Sequence, residues 1–471
     1  MEIKNICCIG AGYVGGPTMA VIADRCKNIQ VNVVDVNEKR IENWNSKDLS
    51  KLPIYEPGLD EIVKRCRGLN LHFSTEIKNN IKNADMIFIS VNTPTKKDGI
   101  GAGKASDLTF IEKAARQIAK FSKSHTIIVE KSTLPVKTAD TIKQILKSLT
   151  SKKSEASEND ATFDVLSNPE FLSEGNAIND LNNPDRILIG GESVSAINSL
   201  KNIYTNWVTA KKIITTNLWS SELSKLAANA FLAQRVSSIN SLSALCESSG
   251  ASIEEVKKAI GSDNRIGNRF LSPGPGFGGS CFKKDILNLV YLCEFYGLYE
   301  VATYWNKVLE INDWQKNRLM KIIFHKLFGT ITSKNIAILG FAFKADTNDT
   351  RESPAIEICK QLMKEGAILR IYDPRVLPSQ IKTDLEGYKK TNSDNETISG
   401  SWNYFENVYD SAEKSDALII LTEWSEFENL DWNLISRKMR SPSWVFDTRS
   451  TKNIEKVKNH GLNLWCLGKG S

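Results

Sequence analysis

Apolar runs alternate with helix-compatible stretches along the first part of the chain. Residues 3–9 and 31–35 are mostly apolar, and the helix-compatible residues 18–26 separate them. Similar apolar runs follow at residues 86–91 and 126–130, and each ends in a polar turn. Runs that are apolar at nearly every position are typical of strands buried on both faces. The pattern therefore predicts a parallel sheet with helices on its faces.

The last third of the chain repeats this plan, and a long helix precedes it. Residues 335–340 and 369–374 read as strands on either side of a helix from about Pro354. From about Ser220 to Gly250 the sequence has helical periodicity without proline. We expect two Rossmann-like doubly wound α/β domains joined by a long central helix and a helical middle domain. The predicted boundaries are 1–215, 216–330 and 331–471, and the polar stretches 150–161 and 391–403 are expected to be surface loops.

Composition narrows the class of protein. Hydrophobic residues make up 41% of the 471 residues and charged residues 25%, as in ordinary globular proteins. The net charge of +6 is spread along the chain, which suits anionic small substrates and lacks the basic stripe of a nucleic-acid binder. Nine cysteines without paired CxxC spacing argue against disulfides and zinc. No signal peptide or membrane-spanning run is recognised, so we expect a cytoplasmic protein with no metal.

A glycine-rich turn follows the first predicted strand. Gly10 permits a tight turn, Gly12 lets a pyrophosphate approach, and Gly15 allows the next helix to pack on the strand. The helix N-terminus would hold the phosphates. Asp35, at the end of the second strand, can bind both ribose hydroxyls and would repel a 2′-phosphate, which favours NAD over NADP. Arg40 is expected beside the adenine, although an arginine there could also accommodate a 2′-phosphate.

A second glycine-rich stretch, residues 272–285, contains the candidate nucleophile. Cys281 follows four glycines and precedes a helix-like run. A helix N-terminus and the neighbouring lysines both favour the thiolate. An isolated cysteine is more often buried and inert, but the glycine loop and the charged flank favour a reactive one.

Other candidates are weaker when judged from the residues alone. Glu170 and Glu174 lie beside a proline turn and could act as acid and base, but from the residues alone a solvated helix start is the favoured reading. Lys225 and Asn229 share one helix face and could stabilise an oxyanion, but from the residues alone a solvated face is the preferred reading. Lys344 lies where a strand–helix turn could hold a phosphate.

Together the motifs GAGYVGGPT, VVDVN, SNPEFLSEG, PGPGFGGSCFKKD, GFAFK and FDTR resemble the UDP-glucose/GDP-mannose dehydrogenase family. The resemblance covers essentially the whole chain and is closer to the animal-type members than to the GDP-mannose or UDP-N-acetylmannosamine branches. It implies a four-electron oxidation of UDP-glucose to UDP-glucuronate with two NAD. GDP-mannose or another nucleotide sugar as the substrate, and a UDP-sugar-binding regulator without turnover, are the alternatives.

The resemblance also implies catalytic roles. Cys281 attacks the aldehyde formed at C6, and the resulting thiohemiacetal is oxidised to a thioester. Glu170 is implied to be the base for thioester hydrolysis, with Thr133 and Asp285 ordering the water. The remaining two catalytic residues, which would stabilise oxyanions at C6, are Lys225 and Asn229.

Spacing and resemblance together assign two sets of binding residues. The predicted NAD-binding residues are Gly10, Ala11, Gly12, Tyr13, Val14, Gly15, Asp35, Arg40, Val91, Asn92, Thr93, Pro94, Thr95, Ser132, Glu174, Lys284 and Arg351. The predicted substrate-binding residues are Phe171, Leu172, Arg265, Ser272, Pro273, Gly274, Pro275, Gly276, Phe277, Gly278, Phe343, Lys344 and Arg449. The resemblance further implies a homo-oligomer, either a dimer built on the central helix or a hexamer.

Overall fold

The structure, a computed structural model, describes residues 1–133, 135–151, 161–386 and 400–470. The chain divides into two compact units. The first unit comprises Met1–Ala228 and Leu287–Phe295, and the second comprises Asn229–Ile286 and Tyr296–Ser471.

The first unit is built on an eight-stranded sheet. Its strands are β1 (Asn5–Ile9), β2 (Gln30–Val34), β3 (Leu71–Ser74), β4 (Met86–Ile89), β5 (Thr126–Glu130), β6 (Phe163–Ser167), β7 (Ile187–Gly190) and β8 (Ile213–Thr216). Their order is β3-β2-β1-β4-β5-β6-β7-β8. All neighbours pair in parallel except β6 and β7, which are antiparallel. The first six strands follow the order of a dinucleotide-binding fold.

Helices cover both faces of this sheet. They are α1 (Gly15–Arg25), α2 (Glu38–Asn45), α3 (Leu59–Cys66), α4 (Ile77–Lys82), α5 (Thr109–Phe121), α6 (Thr138–Ser151), α7 (Ala177–Asn182) and α8 (Val194–Tyr204). Strand β1 shows why both faces are covered. Ile6 and Cys8 enter one hydrophobic cluster, whereas Cys7 and Ile9 enter another on the opposite face, because successive side chains of a strand point in opposite directions.

Four helices follow the first sheet along the chain, and two of them, α9 and α12, are long. They are α9 (Leu218–Ser249), α10 (Ile253–Gly261), α11 (Phe282–Phe295) and α12 (Tyr299–Lys326). Gly250, at a φ of +80°, directly follows α9. A left-handed glycine is a common helix terminator, so the predicted long helix and its end are confirmed.

The second unit contains a six-stranded parallel sheet. Its strands are β9 (Asn335–Leu339), β10 (Ile368–Tyr372), β11 (Ser401–Tyr404), β12 (Ala417–Ile420), β13 (Trp444–Asp447) and β14 (Asn463–Cys466), in the order β11-β10-β9-β12-β13-β14. The accompanying helices are α13 (Pro354–Lys364), α14 (Pro378–Glu386), α15 (Val408–Ser411) and α16 (Trp432–Lys438). One hydrophobic cluster, which includes the central strands, forms its core.

The predicted α/β class with two Rossmann-like sheets is confirmed, and two loop predictions need correction. Thr150 and Ser151 continue α6, and Ala161 is buried, so the predicted loop 150–161 is too long at both ends. Residues 401–403 belong to β11 and not to a surface excursion. The remainders of these two stretches, 152–160 and 391–399, lie outside the described residues. Among the described helices, none is long and apolar enough to cross a membrane.

Candidate active site

The turn between β1 and α1 has the close packing that its glycines predict. A Cβ on Gly10 would lie 2.2 Å from the carbonyl oxygen of Ser90, and Gly10 has a φ of +111°. A Cβ on Gly15 would lie 2.1 Å from the carbonyl oxygen of Gly10. At Gly12, by contrast, a Cβ would meet no described atom within 4 Å. Gly10 and Gly15 therefore serve the turn itself, while Gly12 leaves open space beside the N-terminus of α1.

Asp35 fixes the neighbouring turn through its carboxylate. One oxygen, Oδ2, accepts the N–H of Ala11 at 2.9 Å and lies 2.9 Å from Nη1 of Arg40. The other oxygen accepts the N–H of Asn37, the residue before α2. Trp44, which the sequence analysis missed, donates its indole N–H to the carbonyl of Ala11. Its ring also lies where a side chain on Gly16 would project.

These features fit a dinucleotide. The open space at Gly12 is the cradle that a Cβ would fill, and the first N–H groups of α1 face an anion there favourably. Asp35 directly follows β2 and puts an acidic side chain at the position that binds ribose hydroxyls in this fold. Tyr13 and Val14 complete the turn, and Tyr13 packs against the hydrophobic cluster beneath it.

The turns after β4 and β5 are tied to each other. Ser132 Oγ donates to the carbonyl of Val91 at 2.7 Å, and Thr93 Oγ1 donates to the carbonyl of Thr133 at 3.1 Å. The first turn follows β4, which pairs with β1 where the direction of strand order reverses, and the second follows β5, the next strand of the sheet. Ligands of open α/β sheets bind at such a switch point, which supports the predicted wall formed by residues 91–95. Leu134 lies outside the described residues.

Glu170 and Lys225 form a buried ion pair in the first unit. Lys225 Nζ lies 2.9 Å from Oε1 of Glu170, and the two side chains are only 4% and 6% exposed. The backbone N–H of Leu172 donates to the other carboxylate oxygen at 2.6 Å. Burial alone would raise the pKa of Glu170, but the charge of Lys225, the N–H of Leu172 and the charge of Lys131 together hold this pKa below its ordinary value. A solvated helix start is therefore the wrong reading of Glu170, and a solvated face is wrong for Lys225.

Phe171 packs between two cations. The guanidinium carbon of Arg186 lies 3.7 Å from the centre of its ring, and Lys225 Nζ lies 5.5 Å from it. Glu174 follows on the half-buried end of the same loop. The loop is anchored one residue later, because the buried Glu56 accepts the N–H groups of Gly175 and Ala177.

A buried lysine beside Glu170 escaped the sequence analysis. Lys131 donates to Oδ1 of Asn168 at 3.1 Å and to the hydroxyl of Tyr204 at 3.3 Å. Burial lowers the pKa of Lys131 to about 8, against the opposing charge of Glu170. Its position directly after β5 was visible in the sequence, but its partners are distant along the chain.

In the second unit, Cys281 lies immediately before α11, as predicted. Its carbonyl accepts the N–H of Asp285 at 2.9 Å, which closes the first helical turn. Its sulfur lies 3.5 Å from Ser280 Oγ and is partly exposed. Asn229 donates to Oδ2 of Asp285 at 2.6 Å, and Lys284 Nζ lies 3.6 Å from the other oxygen. Asn229 is buried, so the solvated-face reading is wrong for it too.

The glycine loop before Cys281 is held by amide side chains. Asn240 accepts the N–H of Gly274, and Asn312 accepts the N–H of Phe277. A Cβ on Gly278 would lie 2.5 Å from the carbonyl oxygen of Glu352 and 2.9 Å from Cβ of Phe343. This loop therefore requires glycine for close backbone packing, and residues 273–278 are buried as a group.

Arg449 lies beside the glycine loop and binds the residues that follow β9 and β12. Its Nε donates to the carbonyl of Leu421, and its Nη2 donates to the carbonyl of Phe343. A Cβ on Gly274 would lie 3.1 Å from its Nη1.

The other predicted cations have separate surroundings. Arg351 pairs with Asp349, Lys344 lies over the ring of Phe343, and Arg265 is 89% exposed beside Asp263.

Models of one family match the chain in three consecutive segments. The NAD binding domain of the UDP-glucose/GDP-mannose dehydrogenase family matches residues 4–208. The central domain of the same family matches residues 219–314, and its UDP binding domain matches residues 337–453.

Individual relatives agree with these matches. The chain is 53% identical to UDP-glucose 6-dehydrogenase 4 of Arabidopsis thaliana over 99% of this chain and 97% of that relative. It is 52% identical, with the same coverage, to UDP-glucose 6-dehydrogenase 1 of Glycine max. Among solved structures, a UDP-glucose dehydrogenase from Pyrobaculum islandicum has a TM-score of 0.82 and 28% identity, covering 100% of this chain and 98% of that one.

Proposed function

Since the chain belongs to the UDP-glucose/GDP-mannose dehydrogenase family, we propose that it oxidises UDP-glucose to UDP-glucuronate with NAD. The observation that carries this proposal is that the chain is 52–53% identical, over 99% of its length, to several UDP-glucose 6-dehydrogenases. We assign NAD to residues 1–215, the catalytic cysteine to residues 216–330 and the UDP-sugar to residues 331–471 together with the glycine loop.

NAD would be held by the β1–α1 turn, Asp35 and the turns after β4 and β5. When bound, it supplies the acceptor for hydride. Asp35 already accepts the N–H of Ala11 and lies 2.9 Å from the Arg40 guanidinium, and these contacts orient its carboxylate for the ribose hydroxyls. The open space at Gly12 leaves room for the pyrophosphate. The remaining NAD contacts in this proposal are Glu174, Lys284 and Arg351.

Cys281 is the proposed nucleophile. The N-terminal end of α11 and the neighbouring Lys284 favour its thiolate. After the first oxidation, the thiolate adds to the C6 aldehyde and gives a thiohemiacetal, which the second oxidation converts to a thioester. Trapping the aldehyde on the enzyme is what allows four electrons to be removed before release. Asn229 and Asp285, hydrogen-bonded to each other, are proposed to act beside this sulfur.

Glu170 is the proposed base for release of the acid. Its pKa lies below the ordinary value because Lys225, the N–H of Leu172 and Lys131 outweigh burial, so at neutral pH it is ionised and can accept a proton from water. That water attacks the thioester carbonyl, the C–S bond breaks, and the Cys281 thiolate leaves. Thr133 is proposed to order the water and Lys225 to stabilise the oxyanion.

The UDP-sugar is proposed to contact Phe343, Lys344, Arg449 and the loop 272–278, with Phe171, Leu172 and Arg265 as further contacts.

We also propose a homo-oligomer. Phe231 of α9 and Tyr304 of α12 are more than half exposed in the single chain, and exposed aromatic side chains are enriched at subunit interfaces. Light scattering of the purified protein measures its mass, and a monomer would contradict this part of the proposal.

The number of NADH molecules formed per UDP-glucose consumed tests the function. A ratio near two supports the four-electron oxidation, and a ratio near one would mean that the aldehyde escapes. No NADH from UDP-glucose, with NADH from GDP-mannose, would contradict the substrate. The matched control is Cys281→Ser, which should bind NAD and UDP-glucose but release no UDP-glucuronate in the steady state.

A further inference from the structure

Glu130, the last residue of β5, is a buried carboxyl without a donor. It is 2% exposed, and neither of its oxygens receives an N–H or O–H from the residues that the structure describes. Its neighbouring acidic side chain is that of Glu222 on α9, which is also buried. Two ionised carboxylates in neighbouring positions would repel each other strongly, and one proton between them removes the repulsion.

Glu222, unlike Glu130, accepts hydrogen bonds from backbone N–H groups. Its Oε2 accepts the backbone N–H of Lys137 at 2.7 Å, and its Oε1 accepts the N–H of Ala139 at 2.9 Å. These N–H groups belong to the N-terminus of α6, which favours a negative charge. The two carboxyls therefore connect the end of β5, the start of α6 and one face of α9.

The charges around the pair indicate where the proton lies. Burial raises the pKa of Glu130 well above its usual range, and the charge of Glu222 raises it further. Burial also raises the pKa of Glu222, but the N–H groups of Ala139 and Lys137 oppose that effect. On α6, Lys143 favours ionisation of Glu130 and Asp140 disfavours it. The proton therefore belongs on Glu130, which donates to the Glu222 carboxylate.

We propose that Glu130 and Glu222 share one proton at neutral pH, and that this hydrogen bond positions the 131–133 turn against the face of α9 that carries Lys225. Glu130 directly precedes that turn, and Glu222 lies three residues before Lys225, one helical turn away. The catalytic importance of these positions rests on the proposed function. The shared proton itself does not.

Amide substitutions separate the two members of the pair. In Glu130→Gln the amide N–H replaces the acid O–H as donor to Glu222, so the connection is kept. In Glu222→Gln only one oxygen remains for the two N–H groups of α6, so the connection is weakened. The matched control is Glu56→Gln, because Glu56 is also buried but accepts two backbone N–H groups directly.

Infrared spectroscopy tests the proton directly. At pH 7 the carbonyl band of a protonated carboxylic acid should appear in the wild-type protein, shift in heavy water, disappear in Glu130→Gln and persist in Glu56→Gln. The unfolding equilibrium gives a second readout. Because only the folded state retains this proton, the unfolding constant of the wild type relative to Glu130→Gln should rise by about tenfold per pH unit above about pH 5. A missing band, or a ratio independent of pH between about 6 and 8, would overturn the shared proton.

Kinetics test the positioning. Glu130→Gln should keep kcat within about twofold, whereas Glu130→Ala should lower kcat by about tenfold or more with little change in the KM for UDP-glucose. Equal losses in both variants would overturn the positioning role. If Glu130→Ala does not fold, a kcat for Glu222→Gln no lower than that of Glu130→Gln overturns it. A wild-type protein that does not oxidise UDP-glucose would contradict the proposed function and leave the infrared and unfolding results standing.

Discussion

Replacing Lys225 with methionine should destabilise the protein in a way that depends on pH. The substitution keeps an unbranched side chain only one atom shorter but removes the positive charge 2.9 Å from the buried Glu170 carboxylate. Removing one partner of a buried ion pair typically costs about 3–5 kcal/mol. The N–H of Leu172 still reaches Glu170 in the variant, and Lys131 still favours its charged form, so the expected cost lies at the lower end of that range.

Protonation sets an upper bound on this cost. An unperturbed glutamate has a pKa of about 4.3, so neutralising Glu170 in the folded state at pH 7 costs about 3.7 kcal/mol. We expect a loss of about 3 kcal/mol at pH 7, roughly a 150-fold change in the unfolding constant. In the wild type, the lowered pKa of Glu170 gives stability that is present above the unfolded pKa and lost as pH falls through the folded pKa. In the variant, burial raises this pKa, so stability is lost as pH rises.

Both effects make the difference in unfolding free energy between the wild type and the variant smaller at acid pH. Urea unfolding followed by circular dichroism and tryptophan fluorescence at pH 7 and pH 5 measures it, and the expected difference at pH 5 is about 1 kcal/mol. Glu170→Gln combined with Lys225→Met should recover part of the loss, since no buried charge is left. A loss below about 1 kcal/mol at pH 7, or an equal loss at both pH values, would refute the reasoning.

Two further predictions follow from local geometry. Gly12→Ala should keep its thermal stability nearly unchanged, because the new Cβ meets open space. It should bind NAD at least about tenfold more weakly by calorimetry, because the Cβ fills the space proposed for the pyrophosphate. Gly10→Ala should lower the melting temperature even without NAD, since its Cβ would lie 2.2 Å from the carbonyl oxygen of Ser90. Equal melting temperatures for both would contradict this distinction. Alkylation at neutral pH should modify Cys281 first, because it is partly exposed, while burial raises the pKa of the other partly exposed cysteine, Cys466, to about 12. Mass spectrometry with Cys281→Ser as control would refute this if Cys466 reacted first.

Much of the architecture followed from local sequence rules. Apolar runs predicted the strands β1, β2, β4, β5, β9 and β10, because strands buried on both faces need apolar residues at successive positions. Polarity misled at residues 401–403, which form an edge strand of the second sheet. Edge strands are exposed on one side and tolerate polar residues, so their composition resembles that of a loop.

The candidate site divided in the same way. Gly10, Gly12, Gly15 and Cys281 were recognisable because turn chemistry and helix capping act over a few neighbouring residues. Glu170 and Lys225 were ambiguous from the residues alone, because the same carboxylate and ammonium groups suit a solvated helix face. Their burial and the 2.9 Å contact decide between the readings, and they depend on residues 55 positions apart in the chain.

The sequence by itself determined six of the strands, the long helix α9, the glycine turns and the position of the thiol at the start of α11. Only the tertiary structure decided which charged side chains are buried and which group pairs with each of them. Glu130 and Glu222, 92 positions apart, illustrate the reason. Whether a carboxyl keeps its proton depends on desolvation and on nearby charges in space, and neither quantity is fixed by the residues next to it in the chain.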